Sequence, residues 1–180
     1  MVDEKIVAIF GSGKVERGSE TYKLADKLGR LLAKEGFTII NGGYGGTMLA
    51  AARTARDSGG KVIGVTCSAF GNATANSFTS QEIVTANLDE RLKRLVNIPE
   101  AYIVLPGSTG TLLELAKVWE LKNKGFIKSE KPLILIGGFW KPLIKLMADE
   151  DPDCARYIEQ AEGPEEAMEI LKRFFKQEAI

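Results

Sequence analysis

The chain has 180 residues, in which 24 Lys and Arg balance 24 Asp and Glu and 44% of positions are hydrophobic. A chain of this length buries a core without disulfide or metal staples, and its formal net charge of +0 removes any bulk attraction to nucleic acid or an anionic membrane surface. There is no histidine, and Cys67 and Cys154 lie outside any CxxC spacing, so neither a zinc site nor a disulfide framework is indicated and chemistry falls to carboxylates, arginine, lysine, hydroxyls and backbone amides.

Residues 6–10 form an uninterrupted apolar run closed by Gly11-Ser12-Gly13, the pattern of a strand buried on both faces. Over 19–34 the apolar positions Tyr22, Ala25, Leu28 and Leu32 recur at helical spacing until Gly36 stops them, which predicts an amphipathic helix. A second strand over 37–40 runs into Asn41-Gly42-Gly43-Tyr44-Gly45-Gly46, and a helix over 48–56 and a strand over 61–65 follow. This alternation predicts a Rossmann-like α/β fold: a doubly wound parallel sheet with helices on both faces, in a single domain spanning 1–180. Residues 69–79 are polar, carry two phenylalanines and read as a loop at the carboxyl edge of the sheet, placed to line or cover a ligand. A short strand at 81–84 leads to a helix marked by Leu88, Leu92, Leu95 and Val96, which Pro99 ends. An apolar run at 101–105 opens through a turn onto a helix reaching about residue 123, and a late strand lies at 132–136. A helix over 139–148 with Pro142 in its first turn, an acidic turn at 149–153, a short edge strand at 157–159 and a closing helix over 164–177 complete the chain.

The pattern centres on Leu105-Pro106-Gly107-Ser108-Thr109-Gly110-Thr111-Leu112-Leu113-Glu114. The first amides of a helix lack intrahelical partners and carry roughly half a positive charge, so this turn can hold a phosphate without a lysine. Three glycine-rich turns, at 11–13, 42–46 and 106–110, end strands whose carboxyl ends share one rim, which points to a single polar ligand bearing a phosphate. Gly11-Ser12-Gly13-Lys14 is not a P-loop, because Ala8 and Val15 stand where Gly and Ser or Thr are needed. Nor is it a dinucleotide fingerprint, since Glu16 replaces the third glycine and Asn41, not an acid, ends the second strand. By spacing alone Arg91 fits a solvated helix charge better than a ligand contact, and Asp89, Glu90 and Arg94 fit that reading more strongly still. Glu114 equally fits a carboxylate favoured by a helix dipole at roughly 0.3–1 kcal/mol.

The stretch from Pro106 to Glu114 resembles the PGGxGTxxE motif of the lonely-guy (LOG) family, also labelled possible lysine decarboxylases. Gly42, Gly43, Gly46, Thr47 and Met48 match the family's glycine turn ending in Gly-x-Met, and Arg91, fifteen residues before Pro106, matches the arginine of its M-H-x-R-K stretch. The resemblance covers about 6–146 and implies hydrolysis of the N-glycosidic bond of a nucleoside 5'-monophosphate, with no cofactor and no metal. It assigns the 5'-phosphate to the backbone of Gly107, Gly110 and Thr111 and to the Thr111 hydroxyl, within a binding set that includes Gly11, Ser12, Gly42, Gly43, Gly46, Thr47, Met48, Pro106, Ser108 and Thr109. Glu114 then acts at the ribose or activates water, and Arg91 contacts the ligand near the scissile bond; both are the catalytic candidates. An oxocarbenium-like sugar beside a carboxylate is sound chemistry for that role. A pyridoxal-dependent decarboxylase is excluded by the lack of a recognisable Schiff-base lysine setting.

Three positions depart from the pattern: Ser108 replaces a motif glycine, restricting φ and adding a hydroxyl, and Asp89 and Leu92 replace the His and Lys beside Arg91. The glycine turn is one residue shorter than in cytokinin-activating members and is similar to that of a branch containing a molybdenum-cofactor carrier protein, which binds a phosphate-bearing pterin without hydrolysis. Two expectations therefore stand: a phosphoribohydrolase, and a non-catalytic nucleotide or molybdenum-cofactor binding protein. The resemblance further implies a homodimer. The charged start and the lack of a long apolar stretch predict a cytoplasmic chain with no membrane segment and no nucleic-acid partner.

Overall fold

The computed structural model describes residues 4–71 and 74–177; residues 1–3 and 178–180 of the predicted domain, and 72–73 of the predicted 69–79 loop, lie outside the described residues. The strands are β1 (Ile6–Phe10), β2 (Thr38–Asn41), β3 (Val62–Cys67), β4 (Gln81–Thr85), β5 (Ala101–Val104), β6 (Leu133–Ile136) and β7 (Glu159–Ala161). They form one sheet in the order β4-β3-β2-β1-β5-β6-β7, and every pairing is parallel. The helices between them are α1 (Glu20–Lys34), α2 (Thr47–Asp57), α3 (Leu88–Asn97), α4 (Thr109–Asn123), α5 (Lys141–Glu150) and α6 (Pro164–Gln177).

The central strands are buried on both faces and, apart from Thr38 and Asn41 in β2, apolar, and their side chains alternate between two cores. Val7, Ile9, Ala101 and Ile103 join Leu28, Leu32, Ala51, Leu171 and Phe175 in one layer, beneath α1, α2 and α6. Ala8, Phe10, Tyr102 and Val104 join Leu95, Leu115, Val118 and Trp119 in the other, beneath α3 and α4, with Leu143 and Ile144 of α5 against it. Helices thus cover both faces, as the doubly wound pattern predicts.

Two segments differ from expectation. The predicted edge strand at 157–159 is displaced: Pro152–Tyr157 is a 3-10 helix, and β7 begins at Glu159. The apolar pair Tyr157-Ile158 packs against the second core instead of extending the ladder. Within the predicted loop at 69–79, Ser68–Phe70 forms a further 3-10 turn directly off β3. Among the described residues, no helix is long and apolar enough to cross a membrane.

The strand order fixes where a ligand can enter. The chain winds from β1 outward through β4, then crosses back to place β5 on the other side of β1. Connections after β1 and β5 therefore depart in opposite directions and leave a crevice at their carboxyl ends.

Candidate functional site

The crevice is bordered by the turns after β1, β2 and β5. The first two are tied together: the Thr47 amide and hydroxyl both donate to the Ser12 carbonyl, at 2.9 and 3.1 Å. A Cβ on Gly46, at φ 59°, would lie 2.3 Å from that same carbonyl oxygen, so only glycine permits this approach. Buried Asn41 braces the second turn, accepting from the Gly43 amide at 2.9 Å and donating to the Met48 carbonyl at 3.2 Å. Asn76 adds an outer brace through the carbonyls of Gly43 and Tyr44, each at 3.0 Å.

Helix α4 starts at the third turn with its first amides unserved by a side-chain cap, for Ser108 makes no capping bond. Ser108 sits at φ −104° and ψ −156°, extended backbone that any residue adopts, so the expected restriction at this departure from the motif has no conformational consequence here. Thr111 lies directly under Gly107, where an added Cβ would come within 2.2 Å of the Thr111 hydroxyl oxygen. Thr111 is only 3% exposed, and among the described residues its hydroxyl makes no hydrogen bond. No Cβ contact would arise at Gly110, which leaves space over the helix start.

Arg91 occupies the core face of α3, in line with buried Leu92, Leu95 and Val96, and is not a solvated helix charge. Its Nε donates to the Val65 carbonyl at 2.8 Å and its guanidinium to the Gly42 carbonyl at 3.2 Å. The guanidinium also lies over the rings of Tyr44 and Phe70, 5.4 and 5.8 Å from their centroids, within cation–π range. Its remaining direction leads to Glu114, with 3.9 Å between Nη1 and Oε1 and side-chain exposures of 10% and 14%. Burial pushes the Glu114 carboxyl up to about 7, and Arg91 offsets part of that rise. By contrast Glu90 is consumed locally, accepting from the Ala86 amide at 2.9 Å, and Asp89 and Arg94 remain exposed.

The structure thus brings Gly11, Ser12, Gly42, Gly43, Gly46, Thr47, Met48, Pro106, Gly107, Ser108, Thr109, Gly110 and Thr111 to one rim, with Arg91 and Glu114 beside them. The Thr47 side chain is turned inward to hold Ser12, and Met48 fills space between Gly13 and Gly42. Sequence reasoning did not single out Tyr44 or Phe70. The signal for Tyr44 was an aromatic residue in the middle of a glycine turn; nothing local marked Phe70. A second concavity, about 340 Å³ between α4 and α5, is lined by Leu112, Leu115, Trp119, Leu143 and Met147 and includes neither Arg91 nor Glu114. Among the described residues no group of three His, Cys, Asp or Glu is placed to hold a metal ion.

A protein of Archaeoglobus fulgidus described only as uncharacterized is 33% identical over 132 residues, covering 73% of this chain and 83% of its own length. A cytokinin riboside 5'-monophosphate phosphoribohydrolase of Rhodococcoides fascians is 30% identical over 146 residues, 78% of this chain and 72% of the relative. The solved molybdenum cofactor binding protein of Rippkaea orientalis superposes with a TM-score of 0.79 at 25% identity, covering 97% of this chain and 99% of that one. A family model described as the SLOG cluster4 family matches residues 4–168, and with its glycine-rich rim at the β1 and β5 crossover the chain belongs to that family.

Proposed function

We propose that the chain binds a nucleoside 5'-monophosphate in the crevice between β1 and β5 and hydrolyses its N-glycosidic bond. The observation that carries this reading is Glu114, a carboxyl held near pKa 7 by burial and 3.9 Å from Arg91. At neutral pH it is divided between its two forms, as a group that both gives and takes protons should be. As carboxylate it faces the positive charge that develops on the sugar when the base departs, or takes a proton from the water that adds to the anomeric carbon. The C–N bond breaks toward the base, which leaves with a proton, and water's hydroxyl completes ribose 5-phosphate. Phosphate held by the open amides of α4 and the Thr111 hydroxyl fixes the sugar at a distance from the reacting carbon.

The name of the Rhodococcoides fascians relative, at 30% identity, supports this reading. A second reading, non-catalytic binding of a phosphorylated pterin or nucleotide, is favoured by the likeness to the Rippkaea orientalis protein and by Asp89 and Leu92 beside Arg91. Incubation with a panel of nucleoside 5'-monophosphates separates the two. Hydrolysis yields free base and ribose 5-phosphate in equal amounts, and Glu114→Ala lowers the rate by at least about a hundredfold, at the scale of a lost general acid–base group. Binding without release from any nucleotide sinks the hydrolase reading, and undiminished release by Glu114→Ala sinks the mechanism that places Glu114 at the reacting sugar. If the carboxylate is the working form, kcat/KM rises with pH and levels off above about 7.

A further inference from the structure

We propose that Phe70, backed by Tyr44 and Arg91, is the platform on which a planar heteroaromatic ring of the phosphorylated ligand stacks, a purine or pteridine ring system. This rests on the reading of the crevice as a phosphate site and adds what lies at the ligand's other end. Phe70 is 46% exposed and joins neither of the two hydrophobic layers. A single exposed aromatic residue is unremarkable in itself. Its neighbours here are not apolar core but Tyr44, with ring centroids 6.1 Å apart, and the buried guanidinium of Arg91, 5.8 Å from its centroid.

This arrangement is built, not incidental. The Tyr44 hydroxyl accepts from the Cys67 amide at 2.8 Å, fixing that ring to the end of β3. Ser68, in the same short turn as Phe70, donates to the Thr85 carbonyl at 3.2 Å and ties the turn to β4. One guanidinium therefore lies over both aromatic rings and also stands 3.9 Å from the Glu114 carboxylate. A nucleotide demands the same order of groups: flat ring, glycosidic carbon, then phosphate. Stacking requires only a π face and no matched hydrogen bonds, so the platform selects for a ring system and not for one base.

The test is calorimetric titration of the full chain with adenosine 5'-monophosphate and, separately, with ribose 5-phosphate, which lacks the ring. Every protein carries Glu114→Gln so that no ligand is consumed. The nucleotide binds more tightly than ribose 5-phosphate; Phe70→Ala weakens the nucleotide by about tenfold and leaves ribose 5-phosphate within about twofold, while Phe70→Trp retains nucleotide affinity. Equal affinities for the two ligands before any change at Phe70, or equal losses on Phe70→Ala, overturn the platform and leave the phosphate site standing. Failure to bind either ligand overturns both. Sedimentation of the same proteins covers the remaining case: Phe70→Ala that dissociates a dimer with the ring-dependent affinity intact assigns Phe70 to a contact between copies and overturns the platform.

Discussion

Helices α1 and α3 close their own beginnings, whereas α2 and α4 do not. Ser19 accepts from the Tyr22 amide at 3.3 Å and Asn87 from the Glu90 amide at 2.9 Å, so each serves one of the orphan donors at its helix start. Gly46 and Ser108, in the corresponding positions of α2 and α4, make no such side-chain bond. All four helices follow strands of the same parallel sheet, and the two open ones belong to turns that border the crevice beside β1 and β5. Helix α5 also starts without a side-chain cap, at Trp140, so an open start does not by itself mark the crevice; what sets α4 apart is an open start beside Arg91 and Glu114.

The sharpest way to press this contrast is the carboxyl beside the open start of α4. An ordinary carboxyl of pKa 4.5 in the unfolded chain becomes one of about 7 in the folded protein, so between these values the native state holds a proton that the unfolded state has lost. Stability is full below about 4.5 and falls as pH rises through 7, a loss of about 3 kcal/mol from the size of the shift. Glu114→Gln therefore gains stability over the native chain in urea unfolding at pH 8 and gains little at pH 4. Equal gains at the two values would show that the open end carries no buried-charge cost.

Next in size is the turn itself. Gly107→Ala drives a methyl into Thr111, which has no room to retreat because its own Cβ would stand 2.5 Å away. Displacement of the open amides costs about a hundredfold in affinity for ribose 5-phosphate by titration, the scale of an ångström-level misplacement. The smallest effects come from the caps. Ser19→Ala and Asn87→Ala each cost about 1 kcal/mol of unfolding free energy with ligand affinity unchanged. Ser108→Ala, having no capping bond to lose, stays within about 0.5 kcal/mol. A cap-sized loss at Ser108, or none at Ser19 and Asn87, would erase the distinction between the two kinds of helix start.

The sheet was legible because β1, β5 and β6 are buried on both faces and so stand out as short unbroken apolar runs. The end of the chain was less so. Tyr157 and Ile158 look like the core of an edge strand, yet they pack downward from a 3-10 turn, and the ladder is left to Glu159, Gln160 and Ala161. Lys122 was equally hidden: it lies on the buried face of α4, its amine satisfied by the carbonyl of Lys131, and burial pushes it down to about 8. Its tolerance depends on an acceptor supplied from outside the helix, which periodicity within the helix does not encode.

The site divides the same way. Its glycine turns were readable because backbone approach leaves glycine in the sequence, and the structure brings the three turns to one rim. Arg91 was readable only through resemblance, since spacing favoured a solvated charge, whereas the side chain is buried. Its burial is decided by the carbonyls of Gly42, just past β2, and Val65, within the neighbouring β3, both far from Arg91 in sequence. The aromatic contacts of Arg91 with Tyr44 and Phe70 likewise join three separate crossovers, and no local pattern announces them.

Gly42 and Arg91 also constrain the order in which this chain can change. The space beside Gly42 where a side chain would begin is filled by the guanidinium, 1.9 Å from an added Cβ, and that guanidinium is held by the Val65 and Gly42 carbonyls. A lineage that replaced the glycine first would pass through a jammed intermediate. One that first shortened the arginine would remove the tightest contact and leave only the end of the flexible Met48 side chain, 2.7 Å from an added Cβ, to move aside, so the route to a different ligand at this rim starts in α3 and not in the turn.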